Sequence, residues 1–334
     1  MGFDNQQWEV ELRKNVANLK NCRFPKSSEI ELGGTIERAT ITMKEKGLHA
    51  NMQTNASAFE AWALTLLCHC GAQSVQISAG ELDAEAKDPH YERFLYRLKR
   101  FVELFPNCVT STFVPEPKAL EQGRRVWNQS NSRPDANPTE RMAAASVPGC
   151  SESDLELALE VSSAFKSHFR LDKVMRQWPV GLFDECVAKR NQVFTGGKSG
   201  IDLIGIRGDT LILFELKKAG NEQVGSVSEL LFYANVMRDA LGTSAIFKFE
   251  SQKARKNCAI GPEDIVRCSR ICAVLLAPEF HPLITEPRIF EELNRATKKL
   301  YSDRPIQFET AVLNVPQNEC GDFVFGDGVS SRSQ

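Results

Sequence analysis

The stretch from Gly200 to Lys218, GIDLIGIRGDTLILFELKK, constrains the fold of this chain more than any other part of its sequence. Two runs of apolar and β-branched residues, Ile201 to Ile206 and Leu211 to Lys217, flank the polar tetrapeptide Arg207 to Thr210. A Gly-Asp pair between two such runs is typical of the tight turn that joins antiparallel strands. The sequence therefore predicts a β-hairpin that is apolar on both faces, as in a sheet covered by helices on both sides.

Three charged residues interrupt this apolar pattern, namely Asp202, Glu215 and Lys217. Because side chains alternate between the two faces of a strand, Glu215 and Lys217 lie on one face. A loop centred on the Gly-Asp pair implies the antiparallel register Ile206 with Leu211, Ile204 with Leu213 and Asp202 with Glu215. The hairpin is therefore expected to bring all three charges together.

Two facing carboxylates repel each other unless a cation lies between them. Mg²⁺ binds one or two carboxylates together with waters and substrate phosphates, and a neighbouring lysine can orient or deprotonate a water. We therefore expect Mg²⁺, or Mn²⁺ in its place, to bind Asp202, Glu215 and the backbone carbonyl of Leu216. The alternative is a buried salt bridge in which Lys217 alone neutralises two carboxylates, which leaves one charge over.

The spacing of these residues, an aspartate, twelve intervening residues and then Glu215-Leu216-Lys217, resembles the signature of the PD-(D/E)XK nuclease superfamily. This superfamily includes type II restriction enzymes and many repair and defence nucleases. The resemblance covers roughly Glu152 to Pro316, although Gly200-Ile201 replaces the proline of the family name. It implies a restriction-endonuclease-like fold: a mixed sheet flanked by helices.

The same resemblance implies a metal-dependent nuclease that hydrolyses phosphodiester bonds in DNA, in a defence or repair setting. Asp202 and Glu215 then bind the metal, and Lys217 assists the attacking water. The alternative is a catalytically silent protein that keeps the nuclease fold as a scaffold for binding or assembly.

A glutamate from the first helix of the domain often completes the metal site in this superfamily. The apolar spacing predicts that helix at Ser153 to Phe169. Glu160 is our candidate and Glu156, one turn earlier, is its rival. An exposed helical glutamate without a role in the site remains the alternative for both.

Many members also carry a glutamine or glutamate and a nearby tyrosine on the helix that follows the hairpin. Here that helix is predicted from Ser226 to Leu241, and Glu229 with Tyr233 resembles the pattern. The alternative for Glu229 is a structural role, because Ser226 and Glu229 have the S-x-x-E spacing of a helix capping box.

The loop before the hairpin contains Gly196-Gly197-Lys198-Ser199, but Gln192 stands where the phosphate-binding Walker pattern requires a glycine. Lys198 and Arg190 are instead candidates for contacts with a nucleic-acid backbone, and Lys218 is a third. Solvated loop side chains are the alternative.

With 334 residues the chain has room for two domains that each bury a core. A stretch rich in Asn, Ser and Pro, Glu121 to Gly149, predicts the boundary between them. We expect an N-terminal α/β domain at 1–115, a linker at 116–150, the nuclease domain at 151–316 and a flexible tail at 317–334. The N-terminal domain would recognise DNA, a partner protein or a second protomer.

The net charge of −2 does not indicate a nucleic-acid-binding protein, although a local basic groove is compatible with it. Ten cysteines and an N-terminus without an apolar signal segment predict a reduced, cytoplasmic environment. Cys68-His69-Cys70 and the pair Cys268 and Cys272 lack the spacing of structural zinc sites, so core thiols are expected. No run approaches the roughly 18 apolar residues of a membrane span.

Overall fold

A computed structural model gives the fold for residues 2–19, 22–50, 52, 54–80, 88–128, 151–194, 200–220, 223–242, 245–251, 253, 255, 258–286, 288–314 and 323–327. The elements of the first half are α1 (Asn5–Asn15), β1 (Ile30–Gly34), β2 (Ala39–Met43), α2 (Glu45–Leu48), α3 (Phe59–His69), β3 (Val75–Ala79), α4 (Pro89–Leu104), β4 (Val109–Ser111) and β5 (Arg125–Trp127). The second half continues with α5 (Glu152–Val161), α6 (Ser163–Phe169), β6 (Lys173–Pro179), β7 (Leu182–Asp184), β8 (Gly200–Arg207), β9 (Thr210–Leu216), α7 (Gly225–Asp239), β10 (Phe247–Phe249), α8 (Pro262–Ile265), β11 (Arg270–Ala277), α9 (Pro282–Thr285), α10 (Arg288–Leu300), β12 (Ile306–Asn314) and β13 (Val324–Asp327). The predicted α/β class is confirmed.

The largest sheet has six strands in the order β13-β12-β11-β9-β8-β6. Strands β9, β11 and β12 run parallel to one another, whereas the pairs β6/β8, β8/β9 and β12/β13 are antiparallel. The sheet is therefore mixed, and β6 is one of its edges. Four strands of the first half form a second sheet, β1-β2-β3-β4, and β10-β5-β7 form a third.

Strands β8 and β9 form the predicted hairpin. Ile206 lies opposite Leu211 and Ile204 opposite Leu213, so the predicted register is confirmed at these pairs. Gly208 adopts φ 58° in the turn, a conformation that glycine reaches without steric cost. The ladder ends where Leu203 faces Phe214, one step before Asp202.

Both faces of the hairpin are covered by helices, as the apolar pattern predicts. On one face, Phe214 packs in a core cluster with Leu155 and Leu159 of α5 and Phe165 of α6. On the other face, residues of both strands join the larger core that contains α7: Ile204, Ile206, Leu211 and Leu213. The hairpin is thus fixed between two helical layers.

The predicted helix at Ser153 to Phe169 is two helices. Ser162 ends α5 in an extended conformation, and its side chain accepts a hydrogen bond from the Phe165 N–H at the start of α6. A serine that caps a helix satisfies backbone donors that would otherwise lack partners, so it starts a new helix more readily than it continues one. Arg170, at φ 54°, ends α6.

The two halves of the chain share one hydrophobic core. Phe59 of α3 and Tyr96 of α4 belong to the same cluster of buried residues as Phe232 of α7. The Tyr96 hydroxyl also donates to the Asp239 carboxylate at 2.7 Å, and the Ala61 N–H donates to the Ser228 hydroxyl at 3.1 Å. The boundary predicted at residues 116–150 is therefore not a boundary of the core.

Two segments predicted to lack structure contain strands. Within the predicted linker, β5 pairs with β7 and β10 of the second half, whereas residues 129–150 lie outside the described ranges. Within the predicted flexible tail, β13 pairs with β12, and residues 328–334 are outside the described part. Both strands are short, three and four residues, so neither has enough apolar periodicity to be visible in the sequence.

The cysteines support the expectation of core thiols. Cys70, Cys268 and Cys272 are buried thiols and Cys68 is a half-buried one. None of the helices in the described ranges is long and apolar enough to cross a membrane.

Candidate active site

The open end of the hairpin brings Asp202, Glu215 and Lys217 together. The Lys217 ammonium donates a hydrogen bond to Glu215 Oε1. Asp202 Oδ2 accepts the backbone N–H of Leu216 at 2.8 Å, which ties β8 to β9 just beyond the last pair of the ladder. The three charges predicted to converge are therefore neighbours in the fold.

Helix α7 adds Glu229 and Tyr233, which lie four residues apart and so share one helix face. Glu229 Oε2 lies 3.5 Å from the Lys217 ammonium, and the Tyr233 hydroxyl lies 2.9 Å from Glu229 Oε1. The same hydroxyl is 3.2 Å from the Gly200 carbonyl oxygen at the start of β8. Both residues suggested by the family resemblance thus join the cluster.

The capping-box interpretation of Glu229 is wrong. Helix α7 begins at Gly225 with Val224 as its N-cap, and that cap makes no side-chain hydrogen bond within the described residues. The Glu229 carboxylate points to Lys217 and Tyr233 instead. Its position is explained by the charged cluster.

Helix α5 contributes Glu156 to the cluster, and our preference for Glu160 needs correction. Glu160 accepts the backbone N–H of Arg176 at 3.0 Å and pairs with the Arg176 guanidinium at 3.3 Å. Glu156 is only 4 % exposed and accepts a hydrogen bond from the Gln177 amide at 2.6 Å. Its charge also raises the pKa of Asp202. Glu156 is therefore the helical carboxylate that acts on the site.

Burial strongly affects the ionisation of this cluster. Burial raises the pKa of Asp202 to about 8, and the negative charges of Glu229 and Glu156 also raise it. The Lys217 ammonium and the hydrogen bond from the Leu216 N–H lower the pKa but do not offset this increase. Burial also raises the pKa of Glu215 well above its ordinary value, with Asp202 and Glu229 adding to the effect. The carboxylates therefore hold protons at neutral pH more strongly than exposed ones.

Lys217 responds in the opposite way. Burial alone would lower the pKa of its ammonium, but Glu215, Glu229 and Asp202 together raise that pKa well above the usual value. Lys217 is thus a permanent cation. One ammonium beside the carboxylates of Glu156, Asp202, Glu215 and Glu229 leaves a formal excess of three negative charges when all are ionised.

The residues present fit a divalent cation bound by two carboxylates and a carbonyl. Glu215 Oε2 is buried, and no N–H or hydroxyl group in the described part of the chain donates to it, although the Glu215 carboxyl group also lies against that of Glu229. A buried oxygen without a donor has the chemistry of a ligand to a hard cation. The described ranges contain no group of three or more His, Cys, Asp or Glu side chains placed to hold a metal ion. Mg²⁺ requires only one or two carboxylates, since waters and substrate oxygens complete its shell.

The Leu216 carbonyl points toward this site. The Lys217 N–H donates to the Leu276 carbonyl of β11 at 2.9 Å. In a trans peptide the C=O of one residue points opposite to the N–H of the next, and the described chain has no cis peptide bond. The Leu216 carbonyl therefore points away from β11, to the side on which Asp202 lies.

The predicted nucleic-acid contacts lie partly on the surface. Arg190 is exposed in a one-turn 3₁₀ helix, Lys189–Asn191, and Lys218 is exposed directly after Lys217. Lys198 lies outside the described residues. The outward position of Lys218 agrees with the alternation that places Lys217 in the cluster.

Sequence reasoning missed two residues near the site. The first is Gln177, which donates a hydrogen bond to Glu156. The second is Arg93 of α4, which is buried. Burial lowers the pKa of Arg93 to about 10, and the neighbouring Tyr233 and Glu229 act against that decrease. Neither residue carries a sequence signal for this role, because each meets the site only through tertiary packing. The first half of the chain therefore contributes a cation to the surroundings of the site.

Comparison with protein-family models, curated protein sequences and solved structures found no match to this chain. The functional assignment therefore depends on the site itself.

Proposed function

We propose that this chain is a metal-dependent nuclease that hydrolyses phosphodiester bonds in DNA. The observation that carries the proposal is the environment of Glu215, a buried carboxylate with one oxygen on Lys217 and the other without a donor in the described residues. A second carboxylate, Asp202, lies beside it. Such an arrangement is costly in a fold unless a cation completes it.

Asp202, Glu215 and the Leu216 carbonyl would hold Mg²⁺, or Mn²⁺ in its place. When bound, the ion polarises the scissile phosphate and lowers the pKa of a coordinated water. The resemblance to the PD-(D/E)XK superfamily supports DNA as the substrate.

Lys217 acts as a hydrogen-bond donor in this proposal. Because the neighbouring carboxylates keep its ammonium protonated, Lys217 orients the attacking water and offsets the negative charge that develops on the phosphate. Glu229 holds the ammonium by an ion pair, and the Tyr233 hydroxyl holds Glu229. The α7 residues thus position the lysine.

The experiment is a cleavage assay on supercoiled plasmid, linear duplex DNA and RNA, each with Mg²⁺, Mn²⁺ or EDTA. The wild-type protein is expected to cleave DNA with either metal and to be inactive in EDTA. The Glu215→Gln variant, purified identically, should not cleave and so controls for a contaminating nuclease.

Two results would contradict the proposal. One is a wild-type protein that cleaves neither DNA substrate with either metal, and the other is a Glu215→Gln variant as active as the wild type. Cleavage of RNA alone would replace DNA by RNA as the substrate.

A further inference from the structure

Gln177 has an unusual backbone conformation for its position in the fold. It lies inside the edge strand β6 at φ 55°, in the left-handed region that residues with a side chain rarely adopt. Arg176 faces Leu203 and Trp178 faces Ile201, so Gln177 lies opposite Asp202, and that pair is absent from the described ladder. The irregularity therefore occurs next to a proposed metal ligand.

A glycine would serve this backbone conformation better than a glutamine. Glycine adopts a positive φ without steric cost, whereas other residues are strained there. The side chain of Gln177 is exposed, so core packing does not require it. Its hydrogen bond within the described residues is the one from its amide to Glu156 Oε2, at 2.6 Å.

The surrounding backbone is arranged around this side chain. A Cβ atom on Gly200 would lie 3.3 Å from Gln177 Oε1 and 3.2 Å from the Trp178 carbonyl oxygen, so β8 approaches Gln177 closely because it has glycine there. The Gly200 carbonyl is also the oxygen near the Tyr233 hydroxyl. The amide of Gln177 is thus held between the start of β8 and the Glu156 carboxylate.

We propose that Gln177 is a positioning residue of the active site, held in a strained conformation so that its amide fixes the Glu156 carboxylate beside Asp202. This inference rests on the proposed nuclease function. It extends the site to the edge strand β6, which is not part of the hairpin that carries Asp202 and Glu215. Removal of a group that orients the residues around a metal site commonly lowers activity by about ten to a hundred times.

The test is the Gln177→Gly variant, with Arg170→Gly as a matched control. Arg170 is also at a positive φ without being glycine, but it ends α6 and has no part in the site. Arg170→Gly should melt about 2 °C higher than the wild type because glycine removes the strain. Gln177→Gly removes the same strain but also the hydrogen bond to buried Glu156, so it should melt at a lower temperature than Arg170→Gly. Only Gln177→Gly should lose activity, with kcat lower by about tenfold and KM for DNA unchanged.

A double-mutant cycle with Glu156→Ala tests whether Gln177 acts through Glu156. Gln177→Gly should have no further effect on kcat in the Glu156→Ala background. Losses that multiply, or wild-type cleavage by Gln177→Gly, would each overturn the inference. Absence of cleavage by the wild-type protein would instead overturn the proposed function itself.

Discussion

Replacement of Asp202 by asparagine should abolish cleavage and at the same time make the metal-free protein more stable. Asparagine has nearly the same shape as aspartate, and its carbonyl oxygen can still accept the Leu216 N–H at the position where Asp202 accepts it now. The substitution therefore removes a buried negative charge and leaves the hydrogen bond in place. Without that charge, we expect the protein to lose its metal.

The magnitude follows from the ionisation of Asp202. Burial raises its pKa from 3.8 to about 8. Below pH 3.8 the folded and unfolded proteins are both protonated and ionisation costs nothing. Between these two values the folded protein retains the proton and the unfolded one does not, so stability falls by about 1.4 kcal/mol for each pH unit as the pH rises. Above pH 8 the cost stays constant.

In the wild-type protein this one carboxylate should therefore lower the free energy of unfolding by about 3 kcal/mol at pH 6 and by about 6 kcal/mol at pH 9. Both figures are upper values because the charges of Glu229 and Glu156 contribute to the raised pKa of Asp202 and themselves change with pH. The asparagine variant has no such cost. Its advantage over the wild type should thus grow by up to about 3 kcal/mol between pH 6 and pH 9.

The assay is urea unfolding of both proteins at pH 6 and pH 9, first in EDTA and then in saturating Mg²⁺. The metal should stabilise the wild type and not the variant, which reduces the difference between them. Asp209→Asn is the control, because a hydrogen bond from Ser269 lowers the pKa of Asp209 at the exposed hairpin turn. Neutralising Asp209 should therefore change stability in the opposite direction. Identical pH profiles of wild type and Asp202→Asn in EDTA, or cleavage by the variant at the wild-type rate, would refute the reasoning.

Two further predictions concern the lysines and the shared core. Lys217→Met should lower single-turnover cleavage of DNA by about a hundredfold or more, whereas exposed Lys218→Met should change DNA affinity only in a salt-dependent way; equal losses would contradict the proposed role of Lys217. A fragment that begins at Ser151 should show no cooperative thermal transition by circular dichroism, because α7 packs against Phe59 and Tyr96 of the missing half. A cooperative melt of that fragment would show that the second half folds alone.

The hairpin and its three charges could be predicted because the information is local. Alternation of side chains, a Gly-Asp turn and a fixed register are properties of neighbouring residues, and together they place Asp202, Glu215 and Lys217 on one face. The same reasoning separates Lys217 from Lys218, whose side chain is exposed. Local rules were sufficient here because the hairpin is regular over most of its length.

The choice between Glu156 and Glu160 could not be predicted in this way. The two residues are one helical turn apart on the same face of α5, so periodicity treats them alike. What distinguishes them is the partner each meets on β6, an arginine for Glu160 and a glutamine for Glu156. The position of Gln177 in turn depends on a left-handed backbone conformation, and glutamine in a strand gives no sequence signal for it.

The common core of the two halves also lay beyond sequence reasoning. Each half has elements that look sufficient for a domain, and the Asn-, Ser- and Pro-rich stretch between them has the composition of a linker. The contacts that join them, such as Tyr96 with Asp239, connect residues 143 positions apart in the chain. Such pairings follow from the packing of whole helices, which the spacing of apolar residues within one helix does not determine.

The alternative of a silent scaffold with a nuclease-like fold makes a different prediction for the same cluster. Apolar residues of similar volume in place of buried charges often leave stability unchanged or increase it, so a scaffold would gain nothing from four carboxylates around a single ammonium. If the protein were such a scaffold, Asp202→Asn would still stabilise it, but Mg²⁺ would leave the wild type unchanged. Stabilisation of the wild type by Mg²⁺, lost in both Asp202→Asn and Glu215→Gln, would show that the excess charge exists to bind a cation. The metal dependence of stability therefore separates the two functions even before a substrate is found.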